Sequence, residues 1–291
     1  MAQRPLRLLV VEGNTTETCD RIRKITGKTL SDAYGDVLLR YAPEATVDVC
    51  FPAFAGANLP DPAGLESYDG IAITGSALNV YDRGPTIDPQ IELARAIYRA
   101  KVPFFGSCWG LQVASVAAGG EVRRNSKGRE LGIARKITLT GFGSSHKLHA
   151  GRPVIFDAPC VHLDEVGINP EGLTVTAYND VSDVQAGEIR HEGGLFWGVQ
   201  YHPEFSLLDL AGVLMRYGPV LWNEGFFPGE GEAAGFIEDL RALHADPVGR
   251  WDLAWRYGIG REILDTDLRQ TEIANWVEHH VRPMQSLRGR A

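Results

Sequence analysis

The chain has 291 residues, of which 44% are hydrophobic and 23% charged, a composition that supplies one large hydrophobic core, with or without an appendage. Its formal net charge is −8 at pH 7, and because an acidic chain repels phosphate backbones we expect no nucleic-acid partner. No stretch approaches the roughly 18 apolar residues of a membrane helix, so we expect no membrane contact either.

The first 120 residues alternate apolar runs with amphipathic segments. Predicted strands lie at residues 6–11, 46–51, 70–74 and 102–105, and predicted helices at 30–41, 88–100 and 111–118. Pro43 ends the first helix, Asp88 and Pro89 begin the second as N-cap and first-turn residue, and Gly119–Gly120 end the third. A Pro/Gly-rich loop is predicted at 52–64. Strands that alternate with helices predict a parallel sheet with helices on both faces.

Beyond Gly120 the pattern changes to short β-like segments separated by turn residues. These segments lie at 134–140, 154–156, 174–177, 184–189 and 195–201. They predict a β-rich, partly antiparallel second half. A helix predicted at 206–217 closes the main domain, which we expect to span residues 1–218.

The C-terminal residues 219–291 are predicted to form a helical extension. A linker at 226–231 precedes three predicted amphipathic helices, at 236–244, 250–257 and 268–281. Since isolated large apolar side chains seldom stay in water, we expect Trp251, Trp255 and Trp276 to pack this extension onto the main domain.

The cysteine pattern limits the compartment and the cofactor chemistry. Cys19, Cys50, Cys108 and Cys160 are widely spaced and include no C-x-x-C pair, so neither a zinc site nor a dithiol redox motif is indicated. Such spacing is typical of reduced thiols, and the first apolar run is too short for a signal peptide. We therefore expect a cytoplasmic protein that binds no metal.

The strongest local signal is the segment 102–112, Val-Pro-Phe-Phe-Gly-Ser-Cys-Trp-Gly-Leu-Gln. It places Gly106-x-Cys108-x-Gly110 between a buried strand and an apolar helix, the pattern of a nucleophile elbow with sulfur in place of oxygen. A β-carbon at either glycine would crowd the neighbouring backbone. We predict that Cys108 is strained at a helix N-terminus, where the dipole favours a thiolate, and that the Trp109 N–H points to a developing oxyanion. The alternative is a small buried residue at a tight turn.

A thiolate nucleophile needs an acid–base partner, and the chain has eight histidines. His202 follows the predicted strand 195–201, and open α/β sheets place their sites just past the carboxyl ends of strands. Glu204 would hold the imidazole in one tautomer, as the third member of a triad. Two other pairs of histidines have no predicted role. His146 and His149 lie in a Gly/Ser-rich loop, and His279 and His280 are expected to be solvated in the terminal helix.

Two segments together resemble the class I, or triad, glutamine amidotransferases: Gly106–Gln112 and Gly198–Glu204, which reads Gly-Val-Gln-Tyr-His-Pro-Glu. Three more segments match the family in the right order. Residues 71–76 resemble its strand and glycine turn that supply the second oxyanion N–H, and residues 128–132 resemble its segment near the glutamine pocket. Residues 162–166 resemble the histidine–aspartate segment in the amidotransferase domain of GMP synthases. The resemblance covers roughly residues 6 to 215. It implies an α/β fold with an open, mostly parallel sheet flanked by helices, to which this chain adds the β-rich second half and the C-terminal helical extension.

The resemblance also implies a mechanism. The Cys108 thiolate attacks the side-chain amide of glutamine, and the N–H groups of Gly75 and Trp109 stabilise the oxyanion. His202 protonates the departing ammonia and then activates water against the thioester, while Glu204 orients the imidazole. This half-reaction implies no cofactor.

Substrate contacts are also implied by the resemblance. Gln112 and Glu130 would help to hold glutamine. His162 and Asp164 would either contact a partner protein or make a structural hydrogen bond.

Three functions are compatible with these residues. The first is a free-standing amidotransferase that passes ammonia to a synthetase on a separate chain. The second is a γ-glutamyl peptidase or hydrolase, because the same triad can cleave a γ-glutamyl amide with a larger leaving group. The third is a non-catalytic binding or regulatory protein on the same scaffold. The extension is free to cover the site, dock a partner or form a homodimer.

Overall fold

The strands of a computed structural model, which describes residues 4–56 and 62–289, form a nine-stranded sheet and a two-stranded ribbon within those ranges. The strands are β1 (Arg7–Val11), β2 (Thr46–Cys50), β3 (Gly70–Ile73), β4 (Phe104–Ser107), β5 (Glu121–Arg124), β6 (Glu130–Leu139), β7 (Ile155–His162), β8 (Asp164–Ile168), β9 (Leu173–Tyr178), β10 (Ala186–His191) and β11 (Gly194–Val199). The sheet has the order β2-β1-β3-β4-β11-β10-β9-β6-β7, and β5 pairs with β8 in the ribbon.

Pairing divides the sheet into two halves. From β2 across to β11 each neighbouring pair is parallel, and from β11 across to β7 each pair is antiparallel. The predicted parallel first half and partly antiparallel second half are therefore confirmed. The predicted loop at 52–64 lies partly outside the described residues.

Helices cover both faces of the sheet and make up most of the extension. They are α1 (Thr16–Thr26), α2 (Leu30–Tyr41), α3 (Pro62–Leu65), α4 (Asp88–Ala100), α5 (Trp109–Ala117), α6 (Leu207–Tyr217), α7 (Val220–Asn223), α8 (Glu230–Ala245), α9 (Trp251–Tyr257), α10 (Arg261–Leu264), α11 (Thr266–Arg269), α12 (Thr271–Trp276) and α13 (Arg282–Leu287). A π-helical segment, Val277–Val281, joins the last two. None of the helices in the described ranges combines the length and apolar character needed to cross a bilayer.

Capping explains where several helices begin. Thr29 caps α2 and Ser206 caps α6, each through a capping box closed by an aspartate three residues later. The prediction for α4 was wrong in one respect: Ile87 occupies the N-cap position, and Asp88 is the first helical residue. The Asp88 carboxylate instead accepts a hydrogen bond from the Gly84 N–H. Helix α1 was not predicted, since most of its residues are polar or charged and only Cys19 and Ile22 in it are buried.

Alternating residues of the strands belong to two hydrophobic cores, one on each face of the sheet. In β1, Leu9 and Val11 face the core beneath α4 and α5, whereas Leu8 and Val10 face the core that α2 covers. Both sides of the parallel half are thus buried, as expected for strands that read as continuous apolar runs.

The extension packs in two parts. Its first part, α7 to α10, joins α6 around a third core that includes Leu240, Leu243 and Leu253. Its second part, α12 and the π-helical segment, crosses back over the sheet, where Trp276 is completely buried and packs 5.9 Å from Phe105 between ring centroids. A β-carbon on Gly70 would lie 2.8 Å from Val281 and 3.0 Å from Trp276.

Two predictions for the extension were wrong. Trp251 and Trp255 are 69% and 82% exposed, so of the three tryptophans only Trp276 packs the extension onto the sheet. The predicted linker at 226–231 overlaps α8, which begins at Glu230 instead of the predicted residue 236.

Candidate active site

Cys108 lies in a tight turn between β4 and α5. Its backbone has φ 52° and ψ −98°, in a region that non-glycine residues rarely occupy, and its N–H donates to the Val199 carbonyl at 2.8 Å. A β-carbon on Gly106 would lie 2.7 Å from the Gly110 Cα, and one on Gly110 would lie 2.8 Å from the Ile73 carbonyl oxygen. Both glycines are therefore required sterically, and the geometry is that of a nucleophile elbow.

His202 reaches the same edge of the sheet because β11 runs parallel to β4, with Val199 opposite Ser107. The imidazole is 2% exposed and stacks on the Phe205 ring, with centroids 4.1 Å apart and an interplanar angle of 1°. Its Nδ1 lies 2.7 Å from Oε1 of Glu204. Its Nε2 is buried and has no hydrogen-bond partner among the described residues, so it is the nitrogen available for proton transfer.

Glu204 is held by partners on both carboxylate oxygens. Oε1 meets His202, and Oε2 accepts a hydrogen bond from the Ser107 hydroxyl at 2.9 Å. The Ser107 hydroxyl lies 3.0 Å from the hydroxyl of Tyr34, which belongs to α2. Burial, followed by the charge of Glu204, raises the pKa of Tyr34 well above its usual value, so its hydroxyl stays protonated and donates. Neither Ser107 nor Tyr34 was predicted from the sequence.

The electrostatics favour a charged imidazole. Burial alone would lower the pKa of His202, but the Glu204 carboxylate and the Cys108 thiol outweigh it and raise the pKa to about 10. At neutral pH His202 is therefore an imidazolium, and a cation beside Cys108 at a helix N-terminus stabilises a thiolate.

A cavity of about 450 Å³ opens over Cys108. Gly75 and Gln112 lie in its wall, and Gly75 has no room for a side chain because a β-carbon would lie 2.7 Å from Cε1 of His202. Trp109 is the first residue of α5, so its N–H has no partner within the helix, and its indole N–H donates to Gln90 at 2.7 Å. Gly75 and Gln112 thus border the space above Cys108, and Trp109 directly follows it.

Glu130 lies behind the cavity wall and not in it. Its carboxylate accepts hydrogen bonds from Asn179 at 2.6 Å and Gln185 at 2.6 Å, and its Oε2 is 2.9 Å from Nε2 of His162. His162 and Asp164 do line the cavity, and Oδ1 of Asp164 accepts a hydrogen bond from Tyr81 at 3.0 Å. Among the described residues Glu130 therefore contacts a cavity residue, His162, without lining the cavity itself.

Glu130, His162 and Cys160 also form the one group in the described ranges whose ligand atoms are close enough for a metal ion. All three are buried, and the Glu130–His162 hydrogen bond accounts for their proximity. Burial raises the pKa of the Cys160 thiol well above its usual value, which opposes the thiolate that a metal requires. All four cysteines are free thiols, as predicted, and all four are buried.

The other histidines pack elsewhere. His146 lies 3.0 Å from Glu188, and His149 is buried between Glu272 and Thr176. His279 is exposed as predicted, but the same prediction was wrong for His280, which is buried on the sheet and has its pKa lowered to about 3 by burial.

Comparisons with known proteins agree with this architecture. Residues 32–213 match the family model of glutamine amidotransferase class-I. A glutamine amidotransferase of Thermotoga maritima has a similar fold, with a TM-score of 0.62 at 17% identity over 95% of this chain and 98% of its own.

Two relatives are closer in sequence. A γ-glutamyl-L-1-hydroxyisopropylamide hydrolase of a Pseudomonas species is 36% identical over 285 residues, 96% of this chain and 94% of its own. A glutamine-hydrolysing GMP synthase subunit of Methanococcus maripaludis is 32% identical over 133 residues, 46% of this chain and 67% of its own. The chain therefore belongs to the class-I glutamine amidotransferase family, whose members related to it hydrolyse amides.

Proposed function

We propose that this protein hydrolyses γ-glutamyl amides, releasing glutamate and an amine larger than ammonia. The observation that carries the proposal is the likeness to the Pseudomonas γ-glutamyl amide hydrolase, which extends over 96% of the chain and thus into the extension. The cavity of about 450 Å³ above Cys108 supports it, because ammonia as a leaving group needs little space beyond the scissile bond. We assign catalysis to residues 1–218 and regard 219–291 as an appended helical domain.

In the first half-reaction the Cys108 thiolate attacks the γ-carbonyl carbon, forming a C–S bond. The carbonyl electrons move to oxygen, where the N–H groups of Gly75 and Trp109 stabilise the charge. When the C–N bond breaks, the leaving nitrogen takes the proton from Nε2 of His202. The products are a free amine, a thioester on Cys108 and a neutral imidazole.

In the second half-reaction Nε2 of His202 takes a proton from water, and the water oxygen bonds to the thioester carbon. The C–S bond then breaks, which releases glutamate and restores the thiolate–imidazolium pair. The Glu204 carboxylate fixes the tautomer of His202, while Ser107 and Tyr34 hold Glu204 in place.

The γ-glutamyl part of the substrate would lie on the side of the cavity formed by α5 and β8. Gln112 is placed to contact it, and the buried Asp164 carboxylate is a partner for its α-ammonium group. Glu130 would act indirectly, by fixing the ring of His162.

A second candidate is a glutaminase that supplies ammonia to a separate synthetase chain. The likeness to the Methanococcus GMP synthase subunit favours it, although that likeness spans 46% of this chain. In this case glutamine would be the best substrate, and addition of the synthetase would raise its turnover.

A substrate panel tests the proposal. Release of glutamate is measured from glutamine, γ-glutamyl ethylamide and a γ-glutamyl amino alcohol, with wild type and with Cys108→Ser. We expect kcat/KM for the larger amides to exceed that for glutamine by about tenfold or more, and Cys108→Ser to be inactive on each. A clear preference for glutamine would establish the second candidate instead. Equal rates for wild type and Cys108→Ser would contradict both.

A further inference from the structure

Two arginines lie together on one wall of the active-site cavity. Arg21 comes from α1 and Arg216 from α6, and both line the space above Cys108. Within residues 4–56 and 62–289, neither forms an ion pair or a side-chain hydrogen bond with a carboxylate. Nε of Arg216 is buried and lacks any hydrogen-bond partner there.

The third arginine of the cavity provides a contrast. Arg129 donates to both carboxylate oxygens of Glu224, at 2.9 and 3.3 Å, and its charge is therefore already neutralised. The charges of Arg21 and Arg216 are available to a ligand.

Arg216 is half-buried with its Nε fully buried, and a partly buried guanidinium that has no counter-ion and lies near a second one is unfavourable. Burial lowers the pKa of Arg216, the Tyr217 hydroxyl acts in the opposite direction, and the charge of Arg21 lowers it further. An unpaired buried charge destabilises the folded protein, and a counter-ion offsets this cost. A protein therefore seldom keeps two such arginines close together unless an anion binds them.

Nearby acidic side chains do not fill this role. Glu204 and Asp209 border a smaller space that Arg216 also lines. Glu204 is occupied by His202 and Ser107, and Asp209 closes the capping box of α6. Neither carboxylate is therefore the counter-ion of Arg216, which leaves that role to an anion on a bound molecule.

The position of Arg216 indicates which part of that molecule carries the anion. Arg216 and Phe205 line both the cavity and the smaller space, and Phe205 stacks on the imidazole of His202. Arg216 thus lies on the side of His202, which protonates the leaving nitrogen, and Arg21 is near enough for its charge to act on Arg216. Gln112 and Asp164, which we assign to the γ-glutamyl part, belong to α5 and β8.

We propose that Arg21 and Arg216 form an anion subsite for a carboxylate on the leaving amine, so that the preferred substrates are γ-glutamyl amino acids and γ-glutamyl peptides. The inference rests on the proposed function and narrows its substrate class. Guanidinium groups suit this task because their planar fork binds a carboxylate through two parallel hydrogen bonds. A neutral amine would leave both charges unpaired.

Two substrates of the same shape test the subsite: γ-glutamyl-alanine, which carries the carboxylate, and γ-glutamyl-alaninamide, which does not. We expect wild type to prefer the acid by about 10- to 100-fold in kcat/KM. Arg216→Met should lower kcat/KM for the acid by a similar factor and leave the amide within about twofold. Arg21→Glu, at an exposed position, should invert the preference towards the amide.

Arg23→Met is the matched control, because Arg23 is an exposed arginine of the same helix α1 that lies 3.9 Å from Asp20 and 3.8 Å from Asp32. It should change neither substrate. Equal losses on acid and amide in Arg216→Met would overturn the subsite, since they would place Arg216 against the γ-glutamyl part or the scaffold. So would a wild type that cleaves the amide as fast as the acid, although γ-glutamyl hydrolysis itself would then stand. If the wild type cleaves no γ-glutamyl compound, the proposed function fails and the subsite with it.

Discussion

Two buried histidine–carboxylate pairs of this protein differ in the third group that lies beside each pair. At the carboxyl edge of the parallel strands, His202 meets Glu204 at 2.7 Å. Where the extension crosses the sheet, His149 meets Glu272 at 3.3 Å. Arg152 also binds Glu272, at 2.8 Å through Nε and 2.7 Å through a terminal nitrogen.

Burial lowers the pKa of both histidines, and the other neighbours decide how far this is offset. Beside a thiol and a carboxylate, His202 has its pKa raised to about 10 in spite of burial. His149 has its pKa lowered, first by burial and then by the Arg152 charge, although Glu272 opposes both. A buried histidine bonded to a carboxylate is therefore not by itself a sign of catalysis. The proton is poised for transfer only where the carboxylate has no competing cation.

The largest expected effect separates the two histidines. His202→Ala should reduce kcat for γ-glutamyl hydrolysis by about 10⁴-fold or more, because both half-reactions need its proton. His149→Ala should keep kcat within a few-fold, since His149 lies outside the cavity. Steady-state assays on the two purified variants measure this. A comparable loss of kcat in both variants would contradict the distinction.

The next effect is on stability. Glu272→Gln should reduce the free energy of unfolding by about 3–5 kcal/mol, because it leaves the buried Arg152 without its counter-ion. The matched control is Asp267→Asn, which removes an exposed ion pair between Arg40 and the same extension and should cost about 0–1 kcal/mol. Urea unfolding measures both variants. Similar losses would show that the Arg152–Glu272 pair is no more important than a surface pair.

The pH dependence of the two pairs should differ in direction. Arg152 and His149 together overcome burial and lower the pKa of Glu272 to about 2 from an ordinary 4.5, so its stabilising contribution is complete above pH 4.5 and is lost as the pH falls towards 2. His202 has a raised pKa, so its contribution is complete below pH 6.5 and is lost as the pH rises through about 10.

For catalysis, kcat/KM should therefore fall above about pH 10 in wild type. In Glu204→Gln the same alkaline limb should move towards neutral pH, because the anion that raises the pKa of His202 is gone. A pH–rate profile of both proteins is the measurement. An unshifted limb in Glu204→Gln would mean that Glu204 does not control the charge of His202.

The smallest expected effect on kcat concerns the hydrogen bonds that hold Glu204 in place. Tyr34→Phe removes the hydroxyl that holds Ser107, and we expect kcat to fall about fivefold with the fold intact, as for the loss of one hydrogen bond. Tyr41→Phe, on the same helix but bonded to Asp267 and Gln270 in the extension, is the control and should leave kcat unchanged.

The sequence predicted those parts of the site that depend on local geometry. Gly106 and Gly110 bracket Cys108 within five residues, and the steric need for both is readable from the pattern alone. His202 was selected by its position past a strand, which the parallel pairing of β11 with β4 places beside Cys108. The alternation of strands and helices in the first half of the chain is also a local pattern, and it predicted the parallel sheet.

Long-range contacts were not predictable. Tyr34 reaches Ser107 across 73 positions, and no local pattern marks either residue as a support for Glu204. Trp251 and Trp276 look alike in sequence, yet one is exposed and the other buried, because only the packing of the extension on the sheet distinguishes them. His280 was wrongly predicted to be solvated, because its burial depends on the sheet face beneath it.

The packing of Trp276 against Gly70 has a consequence for the synthesis of this protein. Gly70 belongs to the central parallel strands, and the side chains that cover it, Trp276 and Val281, are translated more than 200 residues after it. Until then the part of this apolar face that contains Phe105 lacks the cover that Trp276 provides. A chain that stalls before residue 273 would leave this part of the sheet uncovered and open to chaperones and proteases.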